Sequence, residues 1–229
     1  GLRTVAEFVD TPRMAMGGEL EWTTEGCAFP VDDIAFCYPT AQVQNTKTFD
    51  TGVETMQGSI APFGLYVGVD CFLGGYDYEA QATSLLRQGE DRMIEKRIND
   101  FFVSLTGIAV ATGGLLEAVA KAEQDADNLY LGRPILWVNR GDAVRLRALK
   151  AIESDKGTSS LWTANGTPIV SSSKITANTV GVTGATTIAQ SGTEVNRVSV
   201  HTLNRERAIA EQVYAVAFDC EFARVYEVS

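Results

Sequence analysis

The reading of the chain turns on residues 79–105, EAQATSLLRQGEDRMIEKRINDFFVSL. Leu86, Met93, Ile94, Ile98, Phe101, Phe102 and Leu105 recur at steps of three, four and seven, which gathers them on one stripe of a helix. Glu90, Asp91, Glu95, Lys96, Arg97 and Asp100 fill the other side and are expected in solvent. At 1.5 Å per residue the stretch predicts a helix about 40 Å long, well beyond the common length of about 12 residues. Gly89 is its weak point, costing about 1 kcal/mol against Ala in a helix interior. Strand-like sequence on both sides makes this helix a spine across a mixed domain.

Working outward, residues 1–18 have no periodicity and carry Pro12, Gly17 and Gly18, so they are expected to form an extended arm. Residues 19–47 read as a hairpin with little core of its own, which needs a neighbour to lie on. Thr48 to Met56 reads as a further strand, and Ile60 to Cys71 is apolar throughout. Beyond the spine, Gly113-Gly114 opens a second helix over Leu115 to Leu129, where Leu115, Val119, Ala122, Ala126 and Leu129 share a stripe. Gly132 and Pro134 stop it. Ile135 to Val138 is a short apolar run bounded by turn residues, expected as a buried central strand. Asp142 is a candidate N-cap for a third helix reaching Ile152.

Residues 156–190 are rich in Gly, Ser and Thr, with strand runs at Pro168 to Val170 and Thr179 to Thr183, and are expected to supply peripheral strands and loops. Val195 to Thr202 alternates. From Ala208 to Val228 both faces are apolar, which predicts a terminal strand pair buried near the middle of a sheet.

With 229 residues, 45% hydrophobic and 21% charged, the chain can bury a core in one large or two small domains. A net charge of −10 argues against a DNA-groove reader, which needs a basic stripe. No run of about 18 apolar residues exists, so no membrane-spanning helix is expected. Cys27, Cys37, Cys71 and Cys220 show no CxxC spacing; reduced, mostly buried thiols are expected, and zinc is not.

Catalytic groups are not gathered anywhere in the sequence. The one histidine, His201, sits on an alternating strand and reads as structural. No GxSxG, GxGxxG, Walker loop or HExxH occurs. Gly184 to Gly192 lacks the lysine of a phosphate loop and reads as a surface turn. Glu25, Asp32 and Asp33, and the Asp125–Asp127 cluster, read as solvated carboxylates rather than a cation site. No cofactor, metal or catalytic residue is expected, and the chain reads as structural.

Four stretches resemble the major capsid proteins of tailed bacteriophages: WTTEG (Trp22 to Gly26) with its hairpin; PFGLYVGVDC running into the spine; GRPILWVNRGDAVRL (Gly132 to Leu146); and LNRERAIAEQVYAVAFDCEFARVYEV (Leu203 to Val228). Encapsulins share that fold. The resemblance implies an α+β, tailed-phage major capsid protein fold. It has an N-terminal arm (1–18), an extended hairpin loop (19–50), a peripheral domain with the spine helix (51–110 and 195–220) and an axial domain (111–194 and 221–229). It further implies a non-enzymatic subunit that self-assembles, as hexamers and pentamers, into the icosahedral head of a double-stranded DNA virion in the host bacterial cytoplasm. Portal, scaffold, maturation protease and decoration proteins would be partners, packaged DNA would be touched non-specifically, and no membrane would be involved. A chain beginning at Gly1 fits a subunit trimmed by such a protease.

Trp22, Glu25, Phe29, Phe36 and Tyr38 on the hairpin are the implied inter-subunit contacts. Some members of the family weld the shell by attack of a hairpin lysine on an asparagine, aided by a glutamate seven residues later. Asn204 and Glu211 have that spacing and Lys47 is the one candidate donor, although it lies nearer the base of the hairpin than its tip. An encapsulin-type shell protein, or a small α+β enzyme or ligand-binding protein, is the alternative.

Overall fold

Helix α1 spans Tyr78–Ser104, 27 residues, within one residue of the predicted spine at each end. Asp77 caps it, its side chain accepting from the Ala80 N–H at 3.0 Å and satisfying one of the orphan donors of the first turn. The computed structural model describes residues 2–11, 60–71, 77–105, 108–130, 132–154, 160–200 and 205–229. The fold is α+β, with three α-helices and two sheets among these residues.

The first sheet is built on β11 (Arg205–Phe218), which pairs antiparallel with β2 (Ile60–Cys71) along one edge. Along the other edge it pairs first with β10 (Glu194–Val200) and then with β9 (Thr186–Gln190). β1 (Glu7–Asp10) lies parallel to β9 and completes five strands. Phe63 and Leu65 of β2, and Ala208, Ala210 and Tyr214 of β11, turn inward against α1.

The second sheet has seven strands: β3 (Ala109–Ala111), β12 (Ala223–Val228), β8 (Thr179–Thr183), β4 (Ile135–Asn139), β7 (Pro168–Ser172), β6 (Leu161–Thr163) and β5 (Ile152–Ser154), in that lateral order. β4 sits at its centre, as the apolar run predicts, and its alternate residues serve two cores. Ile135 and Trp137 face α1, whereas Leu136 and Val138 face α2 (Leu115–Leu129) and α3 (Arg140–Ala148). α1 therefore packs on both sheets, and α2 and α3 cover the far side of the second.

Several expectations are corrected here. β7 and β8 flank β4 at the middle of the sheet rather than its periphery. Within residues 184–192, Thr186–Gln190 form strand β9, with Thr186, Ile188 and Ala189 buried, not a surface turn. β11 and β12 are not a pair: they lie in different sheets. α3 is capped by Asn139, which accepts from the Gly141 N–H at 2.8 Å, and it ends at Ala148; Asp142 lies inside its first turn and Ile152 is in β5. Within residues 2–10, Leu2 and Ala6 are buried and the extended β1 joins the first sheet beside β9. On α2, Val119, Ala122 and Ala126 are buried as expected, joined by Ala118, while Leu129 is 47% exposed.

Candidate functional site

Two carboxylates expected in solvent are buried on α1. Glu90 is 7% exposed; its Oε1 accepts from the Arg3 guanidinium and its Oε2 from the Tyr214 hydroxyl at 2.6 Å. Arg3 also approaches Asp91 Oδ1 at 3.0 Å and lies over the Phe8 ring at 4.4 Å. The N-terminal turn is thus held to the spine by charge and to β1 by its own arginine. Burial pushes the Tyr214 phenol up to about 12. Glu95 lies one turn and a half further along and points to the other sheet, where Ser172 Oγ donates to its Oε2 at 2.6 Å. Desolvation raises the Glu95 carboxyl above its ordinary value, and the Ser172 hydrogen bond opposes this. Asn99, one turn on, accepts from both the N–H and the hydroxyl of Thr176.

The chain crosses between sheets where β8 leads to β9 and where β11 leads to β12, and the two crossings touch. Gly184 N donates to Phe222 O and Asp219 N to Ala185 O, each at 2.9 Å. Tyr130, at the end of α2, stacks on Phe222 (5.6 Å, 3°), donates to Asp219 Oδ2 at 2.9 Å and accepts from the Ala185 N–H at 3.0 Å. Burial pushes the Tyr130 phenol to about 12. A Cβ on Gly184 would stand 2.5 Å from Asp219 O, so the close approach requires glycine. Cys220 in this turn is disulfide-bonded, against the expectation of reduced thiols. Cys27, Cys37 and the Cys71 side chain lie outside the described residues.

No arrangement among the described residues resembles a catalytic centre. The cleft beside this junction, about 730 Å³, is lined by Thr4, Glu7, Arg133, Trp162, Thr167 and Ala185, with no nucleophile–base pair among them. Among the described residues no group of three His, Cys, Asp or Glu side chains is placed to hold a metal. No described helix is long and apolar enough to cross a membrane. Asp125, expected in solvent, accepts from the Tyr226 hydroxyl.

The whole architecture, more than any pocket, is what known proteins share. No family model matches the chain, and no curated protein does. Solved structures do. The capsid of a native GTA particle superimposes with a TM-score of 0.59, at 12% identity, over 100% of this chain and 89% of that one. The fold is that of tailed-phage capsid proteins. A chain of Mycobacterium phage Che8 matches at 17% identity and TM-score 0.53, over 94% of this chain and 86% of that one. The encapsulin of a Synechococcus elongatus complex matches at 11% and 0.55, over 99% and 89%. The capsid fold is thus shared with encapsulins, as the resemblance in the sequence implies.

In this capsid-fold chain, Glu211 is exposed on the outer face of β11, opposite Tyr66 of β2 and Glu194 of β10. Lys47 and Asn204, its expected chemical partners, lie outside the described residues, as do Trp22, Glu25, Phe29, Phe36, Tyr38, Asp32, Asp33 and His201. Sequence reasoning missed Glu90, Glu95 and the Tyr130–Asp219 junction. The signal for the first two was their spacing of four from Leu86 and from Asp91 on a helix too long for one exposed face.

Proposed function

We propose that the chain is a shell subunit: a major capsid protein that self-assembles into the icosahedral head of a tailed double-stranded DNA phage, without catalysis of its own. The observation that carries this is the superposition of the full chain on a capsid subunit at a TM-score of 0.59. In this reading the peripheral domain is 51–110 with 195–220, the axial domain is 111–194 with 221–229, and residues 1–18 and 19–50 are the arm and the extended loop. Hexamers and pentamers of identical subunits form the shell. Scaffold, maturation protease, portal and decoration proteins act on it during assembly in the host cytoplasm. Weak contacts repeated over a closed shell supply the stability that each contact lacks.

An encapsulin shell is the second reading, favoured by the match to the Synechococcus elongatus encapsulin. Size exclusion followed by negative-stain microscopy of native material tests the class, and closed particles tens of nanometres across are expected. Nucleic acid inside selects the phage head, and enclosed protein selects the encapsulin. A discrete species of one to four subunits overturns both and returns the small α+β enzyme or binding protein. Welding through Lys47, Asn204 and Glu211 is tested by boiling assembled particles in detergent: ladders above the 24.7 kDa subunit support it and a single band ends it.

A further inference from the structure

The two helices on the far face of the seven-stranded sheet carry opposite charge. α2 carries Glu117, Glu123, Asp125 and Asp127 against Lys121; Asp127 is exposed, Glu117 pairs with Lys121, and the half-buried Glu123 and Asp125 accept from neutral groups, Thr163 with Asn165 and Tyr226. α3 and the turn after it present Arg140, Arg145, Arg147 and Lys150, four of the 19 Lys and Arg in a chain of net charge −10. The one acid of α3, Asp142, is 1% exposed and already accepts from Arg145 and from the Asn178 N–H. Asp142 thus pairs with Arg145, and α3 carries no further acid against Arg140, Arg147 and Lys150.

These faces sit at opposite ends of one sheet. α2 covers β3, β12 and β8, and α3 covers β4, β7 and β5, while β3 and β5 are the two sheet edges. Each helix also leaves aliphatic side chains in water: Leu116 and Leu129 on α2, and Val144 (67% exposed) and Leu149 (56%) on α3. Apolar contact ringed by opposite charge is the make-up of a specific interface. A two-fold contact through either face would oppose like charges. A head-to-tail contact opposes unlike charges, and closes into a ring when the rotation closes.

We propose that the α3 face of one copy docks on the α2 face of the next, so that the partner of this surface is a second copy of the chain. The inference rests on the shell reading and gives that shell a repeating lateral contact. In an acidic chain whose copies otherwise repel, the basic α3 face also orients their encounter.

The test is a charge swap. One variant carries Arg147→Glu and Lys150→Glu; another carries Gln124→Lys and Asp127→Lys. All four positions are exposed, so both variants should fold, as circular dichroism and melting temperature check. Each alone is expected to lose particle formation by microscopy and light scattering. Placing all four changes on one chain should restore it, because the two faces of every copy are again opposite in charge. Particles from either variant alone, or no restoration in the fourfold variant, overturn the contact while leaving the shell reading intact. A wild-type chain that never forms particles overturns the shell reading itself, and the contact with it. Should a variant misfold, wild-type assembly decides. Its rate should fall as the screening length drops from about 10 Å at 0.1 M salt to about 3 Å at 1 M. A rate unchanged by salt overturns the contact.

Discussion

Replacing Gly181 by Ala tests how tightly the spine is fitted to the second sheet. Gly181 lies in β8, between the partners Trp137 and Val225, and a Cβ built there would stand 2.6 Å from Phe102 Cε2 and 2.8 Å from Cζ. The Phe102 ring has little room to yield. It is 4% exposed and lies against Trp137 at 6.3 Å and Phe101 at 6.3 Å. Overpacking of this kind costs about 1–3 kcal/mol, and the gain from replacing a strand glycine by alanine offsets about 0.5–1 kcal/mol of it. A net loss of about 1–2 kcal/mol lowers the melting temperature by about 2–8 °C at this chain length. Phe102→Ala alone costs about 3–5 kcal/mol through the cavity it leaves. In that background the same methyl enters vacated space, so the Gly181→Ala penalty should vanish or reverse. Urea unfolding of dissociated subunits, followed by tryptophan fluorescence, gives the four corners of the cycle. A Gly181→Ala chain as stable as wild type, or an equal penalty with and without Phe102, refutes the reasoning.

Tyr214→Phe leaves Glu90 Oε2 without its donor and should cost about 1–3 kcal/mol, read by the same unfolding assay. Gly184→Ala should cost more than Gly181→Ala, because the atom it meets is the Asp219 backbone carbonyl rather than a side chain. For Glu95 the folded carboxyl titrates above its unfolded value, so the folded state binds more protons in between. Stability should fall as pH rises from about 4.5 through the raised folded value and stay level beyond it. Glu95→Gln keeps an acceptor for Ser172, should lack that slope in a series of melting temperatures against pH, and should be the more stable protein at neutral pH. Thiol titration of chain unfolded without reductant should find at most two reactive thiols among the four cysteines, rising to four once reduced.

What could be read in advance was what is local. α2 matched to the residue because Gly113-Gly114 and Gly132 bracket a clean periodic run, and β4 because four apolar residues between turn signals fit only an interior strand. Lateral order was hidden, since nothing in TVGVT says that it will lie between β4 and β12. The N-terminal strand was hidden for the same reason: Asp10 meets Gln190, 180 residues away, and four residues hold too little periodicity to announce a strand. The Tyr130–Asp219 junction depends on two crossings meeting in space, which no window of sequence contains.

The misplacement of Glu90 and Glu95 has a more specific cause. The buried residues of α1 include Tyr78, Ala82, Leu86, Glu90, Ile94, Ile98 and Phe102, each four after the last. A helix with 3.6 residues per turn advances about 40° at each such step, so the buried line winds through about 240° along the helix. A one-stripe reading assumes a single sheet on one side and water on the other; a line that winds this far requires protein on more than one side. The contacts bear that out, because Glu90 meets Tyr214 of the first sheet whereas Glu95 and Phe102 meet Ser172 and Trp137 of the second. On such a helix some positions that are polar by pattern must be buried, and each then needs a partner of its own. Tyr214 and Ser172 are those partners. One carboxylate fastens the spine to each sheet, and the polar side of α1 belongs to the core as much as its apolar stripe does.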